Sequence, residues 1–305
     1  MTDDSGASRA TYLAYRAGAL AAQMVPPALG TPVARGIGRT LAIAMRGRRT
    51  MIARHLDRAS GGSLHGPDLD RAVSRAFDSY ARYWLELFRL PHEWGREVER
   101  NFTVDGYEHI EAAFAAGKGA IVALPHLGGW EWAAAWIAHV KSERLLGVGE
   151  PVEPPELFEW FARVRGAMGM EVVALGDDTA TRALKALREN RIVCLLSDRD
   201  LSGDGIEVEF FGERTRLPAG PATLALRSGA PILPVAVYFG SGRGHHGVVR
   251  PPIDTHRGEG RLRADVERIT QALASEFESL IRAAPEQWHL MQPNWPSDYE
   301  FEAGR

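Results

Sequence analysis

Two hydrophobic patterns divide the chain near residue 90. Before that point, apolar residues recur at the spacing of amphipathic helices, which predicts helices over residues 9–25, 31–59 and 68–90. The third is the clearest, with apolar or small residues at Ala72, Ala76, Phe77, Tyr80, Trp84, Leu87 and Phe88. We therefore expect a helical N-terminal region over residues 1–90.

From about residue 100, short apolar runs alternate with amphipathic segments. The runs predict strands at 102–104, 119–124, 144–148, 171–175, 191–197, 206–211, 232–239 and 247–250. The segments between them predict helices at 107–116, 130–140, 155–168, 178–190, 220–228 and 262–284. Such alternation is typical of the α/β class. We expect residues 91–305 to form a central, mostly parallel or mixed sheet flanked by helices.

Two segments near the C-terminus show neither pattern. The glycine-rich segment 240–247 lacks the Lys-Ser or Lys-Thr pair of a phosphate-binding loop, so it predicts a turn or hairpin with His245 and His246 exposed. The tail over residues 288–305 is rich in tryptophan, proline and acidic residues, and we expect it to wrap around the surface.

Charge is spread unevenly along a chain of otherwise ordinary composition. The net charge of -3 argues against a general nucleic-acid partner. Residues 35–58, however, carry seven arginines against Asp57 alone, a local charge of +6. Such a cationic segment in a mildly acidic protein predicts an anionic partner such as a membrane surface. We expect a peripheral protein on the cytoplasmic face of the cell membrane.

The apolar stretch over residues 12–29 has two interpretations. Arg16, Gln23 and the pair Pro26-Pro27 interrupt it, so a membrane-spanning helix is not expected, and the N-terminus lacks the basic start of a signal peptide. It is either an amphipathic helix in the membrane interface or a helix that packs on the protein's own core. The interfacial anchors would be Tyr12, Tyr15, Leu20 and Met24.

His126 and Glu131 lie five residues apart, across Gly128 and Gly129, directly after a predicted strand. Residues five apart do not align on one regular helix. The spacing fits a histidine in the strand-to-helix turn and a carboxylate in the first helical turn, if the glycines bend the backbone so that the two side chains meet. A histidine oriented by a carboxylate is a general base. The alternative is a histidine that serves only as a turn residue.

The surrounding blocks resemble a known superfamily. The His-x4-Glu motif after a strand is similar to the hallmark of the glycerolipid and lysophospholipid acyltransferases, in which aspartate often replaces the glutamate. Residues 81–91, 211–222 and 228–234 resemble blocks of the bacterial late acyltransferases of lipid A and their actinobacterial relatives, in the same order. The nearest resemblance is to the phosphatidylinositol mannoside acyltransferases of actinobacteria.

This resemblance implies an enzyme that transfers a fatty acyl chain, with palmitoyl favoured, from acyl-CoA to a mannose hydroxyl of phosphatidylinositol mannoside. His126 and Glu131 would be catalytic, without an acyl-enzyme intermediate, and the chain lacks the Gly-x-Ser-x-Gly motif of serine lipases. The alternatives are a lysophospholipid or lipid A-like acceptor, or a lipid-binding protein without activity. No cofactor is implied, since acyl-CoA is a co-substrate.

Further polar residues follow other predicted strands. Asp198, Arg199 and Asp200 end a strand, so they are expected at the sheet edge where His126 lies. Asp198 or Asp200 is either a second acid near His126, a ligand of the acceptor sugar, or part of a charged turn. Glu150 and Arg165 resemble the family's substrate-binding block, and Arg165 is either a phosphate ligand or a surface ion-pair residue. We find no third ligand that would make a metal site with His126 and Glu131.

Overall fold

The computed structural model describes residues 4–90 and 95–304. Its first four helices are α1 (Asp4–Met24), α2 (Gly30–Ala44), α3 (Arg46–Ala59) and α4 (Gly66–Arg89). The helix predicted over residues 31–59 is two helices, because the backbone of Met45 leaves the helical region. The most amphipathic of the four, α4, packs on α1, α2 and α3 through buried residues such as Phe77 and Leu85. The expected helical N-terminal region is confirmed.

The rest of the chain forms the predicted α/β sheet. Its strands are β1 (Phe102–Asp105), β2 (Ala120–Leu124), β3 (Leu145–Gly149), β4 (Met170–Ala174), β5 (Ile192–Leu196), β8 (Ile232–Phe239) and β9 (His245–Val249), with β6 (Ile206–Phe210) and β7 (Glu213–Leu217) as a separate hairpin. The main sheet has the order β1-β9-β8-β2-β5-β3-β4. Strands β8, β2, β5, β3 and β4 are parallel, and β9 runs antiparallel to β8. The mixed sheet confirms the expected fold class.

Helices cover both faces of this sheet, and β2 and β5 are accordingly buried on both sides. The helices are α5 (Arg96–Asn101), α6 (Glu108–Ala115), α7 (Trp130–Val140), α8 (Pro155–Ala167), α9 (Thr179–Arg188), α10 (Gly220–Ser228), α11 (Leu262–Arg282) and α12 (Pro296–Ala303). Within the described ranges, no helix is both long enough and apolar enough to cross a membrane.

The hairpin strand β7 was missing from the predicted elements. Its sequence is Glu-Arg-Thr-Arg-Leu, and only Thr215 and Leu217 face inward. Three charged residues in five hide the apolar alternation, so the strand is recognisable only when paired with β6.

The prediction that the tail wraps the surface is wrong. Trp288 and Trp295 are buried in the main core, where they pack on Phe210. The tail is fixed at its end by Asp298, which is fully buried and pairs with Arg54 at 2.7 Å and Arg58 at 2.9 Å. The tryptophans therefore mark a segment that closes the core and joins it to helix α3.

The predicted exposure of His245 is also wrong. The glycine-rich segment is a hairpin loop, but β9 begins at His245 and turns this side chain inward. Its Nε2 lies 2.7 Å from the Glu86 carboxylate, and its ring stacks on Trp132 at a centroid distance of 4.1 Å. His246 points to the other side, is partly exposed, and contacts Thr103.

Candidate active site

Two neighbouring parallel strands bring His126 and Asp198 together. Leu124 of β2 is in register with Leu196 of β5, and each strand is followed two residues later by one of the two polar residues. The Nδ1 atom of His126 lies 2.6 Å from one carboxylate oxygen of Asp198, and the backbone N–H of His126 donates to the other at 3.0 Å. The strand register therefore holds both the ring and the backbone of His126 against one carboxylate.

Asp198 is fully buried and has two further partners from the tail. Trp288 Nε1 donates to its Oδ2 at 2.7 Å, and Asn294 Nδ2 donates to its backbone oxygen at 3.1 Å. Burial by itself would raise the pKa of Asp198, but the charge of His126 and the donated hydrogen bonds lower it below its usual range. Asp198 is therefore a fixed negative charge.

The His126 ring is poised to exchange a proton on its outer side. An Nδ1–H donated to Asp198 leaves the lone pair on Nε2, and the side chain is 38% exposed. Burial acts to lower the pKa of His126, yet the charge and hydrogen bond of Asp198 raise it above the ordinary value. The pair has the arrangement of a general base and its orienting carboxylate.

The expected contact between His126 and Glu131 is wrong. Glu131 lies in the first turn of α7, as its spacing indicates, but its side chain turns into the protein and is only 2% exposed. Its Oε1 accepts hydrogen bonds from Tyr83 at 2.8 Å and from Arg165 at 3.1 Å. Helices α4 and α8, which lie far away in the sequence, supply these partners.

Glu131, Arg165 and Tyr83 form a buried polar cluster beside the histidine turn. Burial raises the pKa of Glu131 despite the opposing effect of Arg165, and burial with the nearby Glu131 charge raises that of Tyr83. Arg165 also packs on the rings of Trp130 and Phe161. Its guanidinium thus forms an interior ion pair with Glu131, so Arg165 is not the surface ion-pair residue that was one of its two predicted roles.

The turn between β2 and α7 requires glycine. Gly128 has a φ of +60°, and a Cβ there would lie 1.9 Å from the carbonyl oxygen of Val237. A Cβ on Gly129 would lie 2.8 Å from the ring of His245. The two glycines therefore serve close packing of the turn on β8 and β9, which fixes where His126 projects.

The remaining predicted polar residues differ in their contacts; they are Glu150, Arg199 and Asp200. Arg199 lies 3.8 Å from Glu150, which follows β3, and both charges act on the His126 ring. Asp200 instead accepts backbone hydrogen bonds from Ser202, Gly203 and Gly205. The charged-turn interpretation therefore describes Asp200, whereas Asp198 is the acid beside His126.

Four residues of the site were not predicted: Tyr83, Trp288, His289 and Asn294. His289 donates its backbone N–H to the His126 carbonyl at 2.7 Å, and its partly buried ring lies 2.9 Å from the Ser79 hydroxyl. Burial, with the His126 charge, lowers the pKa of His289 to about 3, so this second histidine stays neutral. Tyr83 lies in a block that carries the family resemblance, but the tail residues gave no signal beyond their composition.

A narrow apolar cavity, the apolar slot, lies between α7 and the sheet. Its volume is only about 40 Å³, so it is nearly closed. Its lining includes Leu124, two residues before His126, and Trp130, the residue before Glu131. Val122, Ala134, Met170 and Cys194 continue the lining, and burial raises the pKa of the Cys194 thiol to about 12. The slot therefore begins beside the histidine turn and runs under α7.

The described residues contain no group of three or more His, Cys, Asp or Glu side chains arranged for a metal ion.

Sequence comparison identifies the family. The model of the bacterial lipid A biosynthesis acyltransferases matches residues 7–297, a span that includes the histidine turn, the sheet and most of the tail. The chain belongs to this family. It is an acyltransferase, as expected from the motif blocks.

Several relatives bear names that include a substrate. The chain is 42% identical to a phosphatidylinositol mannoside acyltransferase of Mycobacterium tuberculosis over 234 residues, which cover 75% of this chain and 72% of that protein. It is 38% identical to the protein of that name from Mycolicibacterium smegmatis, over 96% of this chain and 93% of the relative. A lipid A biosynthesis acyltransferase of Haemophilus influenzae is 24% identical, over 72% of this chain and 67% of that protein.

Proposed function

We propose that this protein transfers a fatty acyl chain, preferably palmitoyl, from acyl-CoA to a mannose hydroxyl of phosphatidylinositol mannoside. The observation that carries the proposal is the His126–Asp198 pair, whose partly exposed imidazole comes two residues after Leu124, a residue of the apolar slot. The names of the relatives at 38% and 42% identity support the acceptor.

The reaction needs one proton carrier. The Nε2 of His126 takes the proton of the acceptor hydroxyl as its oxygen attacks the thioester carbonyl, and Asp198 stabilises the imidazolium that forms. The tetrahedral intermediate then expels the CoA thiolate, which recovers the proton from His126. The N–H of Trp130, the first residue of α7, is the candidate donor to the oxyanion, because Gly129 has no side chain to cap it and the Trp132 N–H already donates to the Gly129 carbonyl at 2.9 Å.

Glu131 has a positioning role in this scheme. The ion pair with Arg165 and the hydrogen bond from Tyr83 attach the start of α7 to α8 and α4. Because α7 forms one wall of the apolar slot and supplies the Trp130 N–H, its placement relative to His126 decides whether the thioester meets the ring. Glu131 thereby acts on the reaction without touching His126.

The outer face of the N-terminal helices fits docking on a membrane. Large apolar side chains are exposed along α1, α2 and the turn between them, at Leu13, Leu20, Met24, Leu29, Ile37 and Ile43. Of the expected anchors, Leu20 and Met24 are exposed, whereas Tyr12 and Tyr15 pack on the core. Helix α1 therefore shows features of both interpretations, with one face on the protein and the other outward.

Fewer arginines reach this face than the sequence suggested. Arg49 pairs with Asp70, Arg54 with Asp298, and Arg58 with both Asp298 and Glu213. The exposed arginines of the segment are Arg35, Arg39 and Arg46, which leaves a weaker cationic rim around the apolar face. Part of the basic segment thus holds the tail, and we propose that the rest contacts anionic lipid at the cytoplasmic face.

The test is acyl transfer from radiolabelled palmitoyl-CoA to a lipid extract that contains phosphatidylinositol mannosides and lysophospholipids. We expect label on the mannosides and a loss of at least about 100-fold in the His126→Ala variant, since general bases contribute this much or more. Label on a lysophospholipid would replace the acceptor, and absence of transfer by the folded protein would favour a lipid-binding function.

A further inference from the structure

A second cavity, here called the arginine cavity, opens where α2 meets α3. Its volume is about 630 Å³, and Arg46, Arg48 and Arg199 are among the residues that line it. The tail contributes Tyr299 and Glu302 to the lining. Three cations against one anion make this cavity electropositive, in contrast to the apolar slot beneath α7.

These arginines retain donors for a ligand. Arg48 uses one nitrogen to donate to the Met291 carbonyl at 2.9 Å, and the nearest acid to Arg199 is Glu150, at 3.8 Å. Among the described residues, no acidic side chain lies within ion-pair distance of Arg46, which is exposed. Guanidinium groups present paired donors whose geometry matches phosphate oxygens.

Helix α3 also favours an anionic ligand in the arginine cavity. It begins at Arg46, and no side chain caps its first amides. The positive end of a 14-residue helix dipole is therefore directed at the wall that carries Arg46 and Arg48. The arginines and the helix start thus favour the same kind of ligand, a phosphate group.

The position of the cavity connects the reacting histidine with the apolar outer face. Arg199 directly follows Asp198, and its charge is close enough to act on His126. On the other side, Ala44 and Met45 of the cavity follow Ile43, one of the exposed apolar residues of α2. The cavity therefore has Arg199, the neighbour of Asp198, in one part of its lining and the end of α2, near the face proposed to meet lipid, in another.

We infer that the arginine cavity binds the phosphodiester of the lipid acceptor, an inference that rests on the proposed function. In a phosphatidylinositol mannoside the phosphodiester and the mannose are attached to the same inositol ring, so a bound phosphate keeps the sugar hydroxyl near. In acyl-CoA the phosphates are separated from the thioester by the pantetheine arm. The short path from Arg199 to His126 therefore favours the acceptor phosphate over the donor phosphates.

The test compares Arg46→Gln with Arg75→Gln, which removes the same charge from an exposed position on α4 outside the cavity. The acceptors are deacylated phosphatidylinositol mannoside, which retains the phosphodiester in a water-soluble molecule, and the mannosyl-inositol without phosphate. Loss of one charge-assisted contact should raise the KM for the phosphodiester acceptor roughly tenfold in Arg46→Gln only. The KM values for mannosyl-inositol and palmitoyl-CoA should stay the same.

Three results would overturn the inference: an equal effect on both acceptors, an equal effect of Arg75→Gln, or a rise in the KM for palmitoyl-CoA instead. Calorimetric titration with glycerophosphoinositol provides a readout that needs no turnover, and we expect binding that Arg46→Gln weakens. If the unaltered protein binds glycerophosphoinositol but transfers no acyl chain, the proposed function is wrong and the phosphate site stands. If it transfers the acyl chain but does not bind glycerophosphoinositol, the phosphate site is wrong and the proposed function stands.

Discussion

At the scale of single residues, the reactivity of His126 depends on the carboxylate that faces its inner nitrogen. Asp198 raises the pKa of His126 against the opposite effect of burial. A general base must be neutral to accept a proton, so the rate should rise with pH through the pKa of this histidine. The pH profile of the enzyme therefore reports on Asp198.

We expect Asp198→Asn to lower kcat by about 100- to 10,000-fold, the range typical of general-base catalysis. The acidic limb of the profile should also move to lower pH, because the substitution removes the charge that raises the His126 pKa and leaves the effect of burial. Steady-state kinetics between pH 5 and 9 measure both effects. An unchanged acidic limb would show that Asp198 does not face the catalytic imidazole.

Substitution of Glu131, unlike that of Asp198, should act mainly on the free energy of unfolding. Glu131→Gln leaves the buried Arg165 without a counter-charge, which should cost about 3–5 kcal/mol of unfolding free energy. Denaturant unfolding measures this loss. The double variant Glu131→Gln/Arg165→Met serves as the control, because it removes both charges and should recover much of the stability. A single variant as stable as the original protein would contradict the anchoring role of this ion pair.

At the scale of elements, we expect β2 and α7 together to determine which acyl chain the enzyme prefers. Both line the apolar slot, and its volume of about 40 Å³ means that it must widen for an acyl chain to enter. Met170, at its wall, has a flexible side chain that is suited to moving aside when a chain enters.

Two substitutions that change the volume of the slot in opposite directions test this assignment. Ala134→Leu on α7 should fill part of the slot and shift the preference toward shorter acyl-CoA substrates. Val122→Ala on β2 should enlarge the slot and shift the preference toward longer ones. Competition among acyl-CoA substrates of eight to twenty carbons measures the ratio of kcat/KM values. Parallel losses for every chain length in both variants would indicate damage to the fold instead of a change in the slot.

At the scale of the whole molecule, the tail joins the N-terminal helices, the sheet and the active site. Asp298 holds its end to α3, Trp295 packs in the core, and Trp288 and Asn294 contact Asp198. The pKa of Asp298 lies well below its usual range, because hydrogen bonds from His55 and Arg54 outweigh the opposing effect of burial. The segment that closes the core therefore also restrains the orienting carboxylate.

Trp288→Phe preserves an aromatic ring but removes the hydrogen bond to Asp198. We expect kcat to fall by roughly 10- to 100-fold, since hydrogen bonds to charged groups contribute about 1.5–3 kcal/mol. The acidic limb should move to higher pH, opposite to Asp198→Asn, because a carboxylate with fewer donors raises the His126 pKa further. Trp295→Phe is the matched control: it makes the same substitution in the tail but removes a hydrogen bond to the Phe210 carbonyl instead of one to Asp198. Similar pH profiles for both variants would contradict this positioning role.

The sequence by itself determined the local elements and the residue types of the site. The spacing of apolar residues predicted α4, α7, α10 and most strands, because an element that buries one face needs apolar residues at the period of its own geometry. It also placed His126 in a strand-to-helix turn and Glu131 in the first turn of α7. The motif blocks then indicated the acyltransferase family.

Only the tertiary structure decided which of these residues meet. Strand register placed Asp198 against His126, whereas α4 and α8 captured Glu131. The tail was misjudged because the burial of Trp288 and Trp295 depends on partners from β6, α3 and Asp198. Contacts between residues 72 to 96 positions apart leave no local pattern, since each depends on how the whole chain packs.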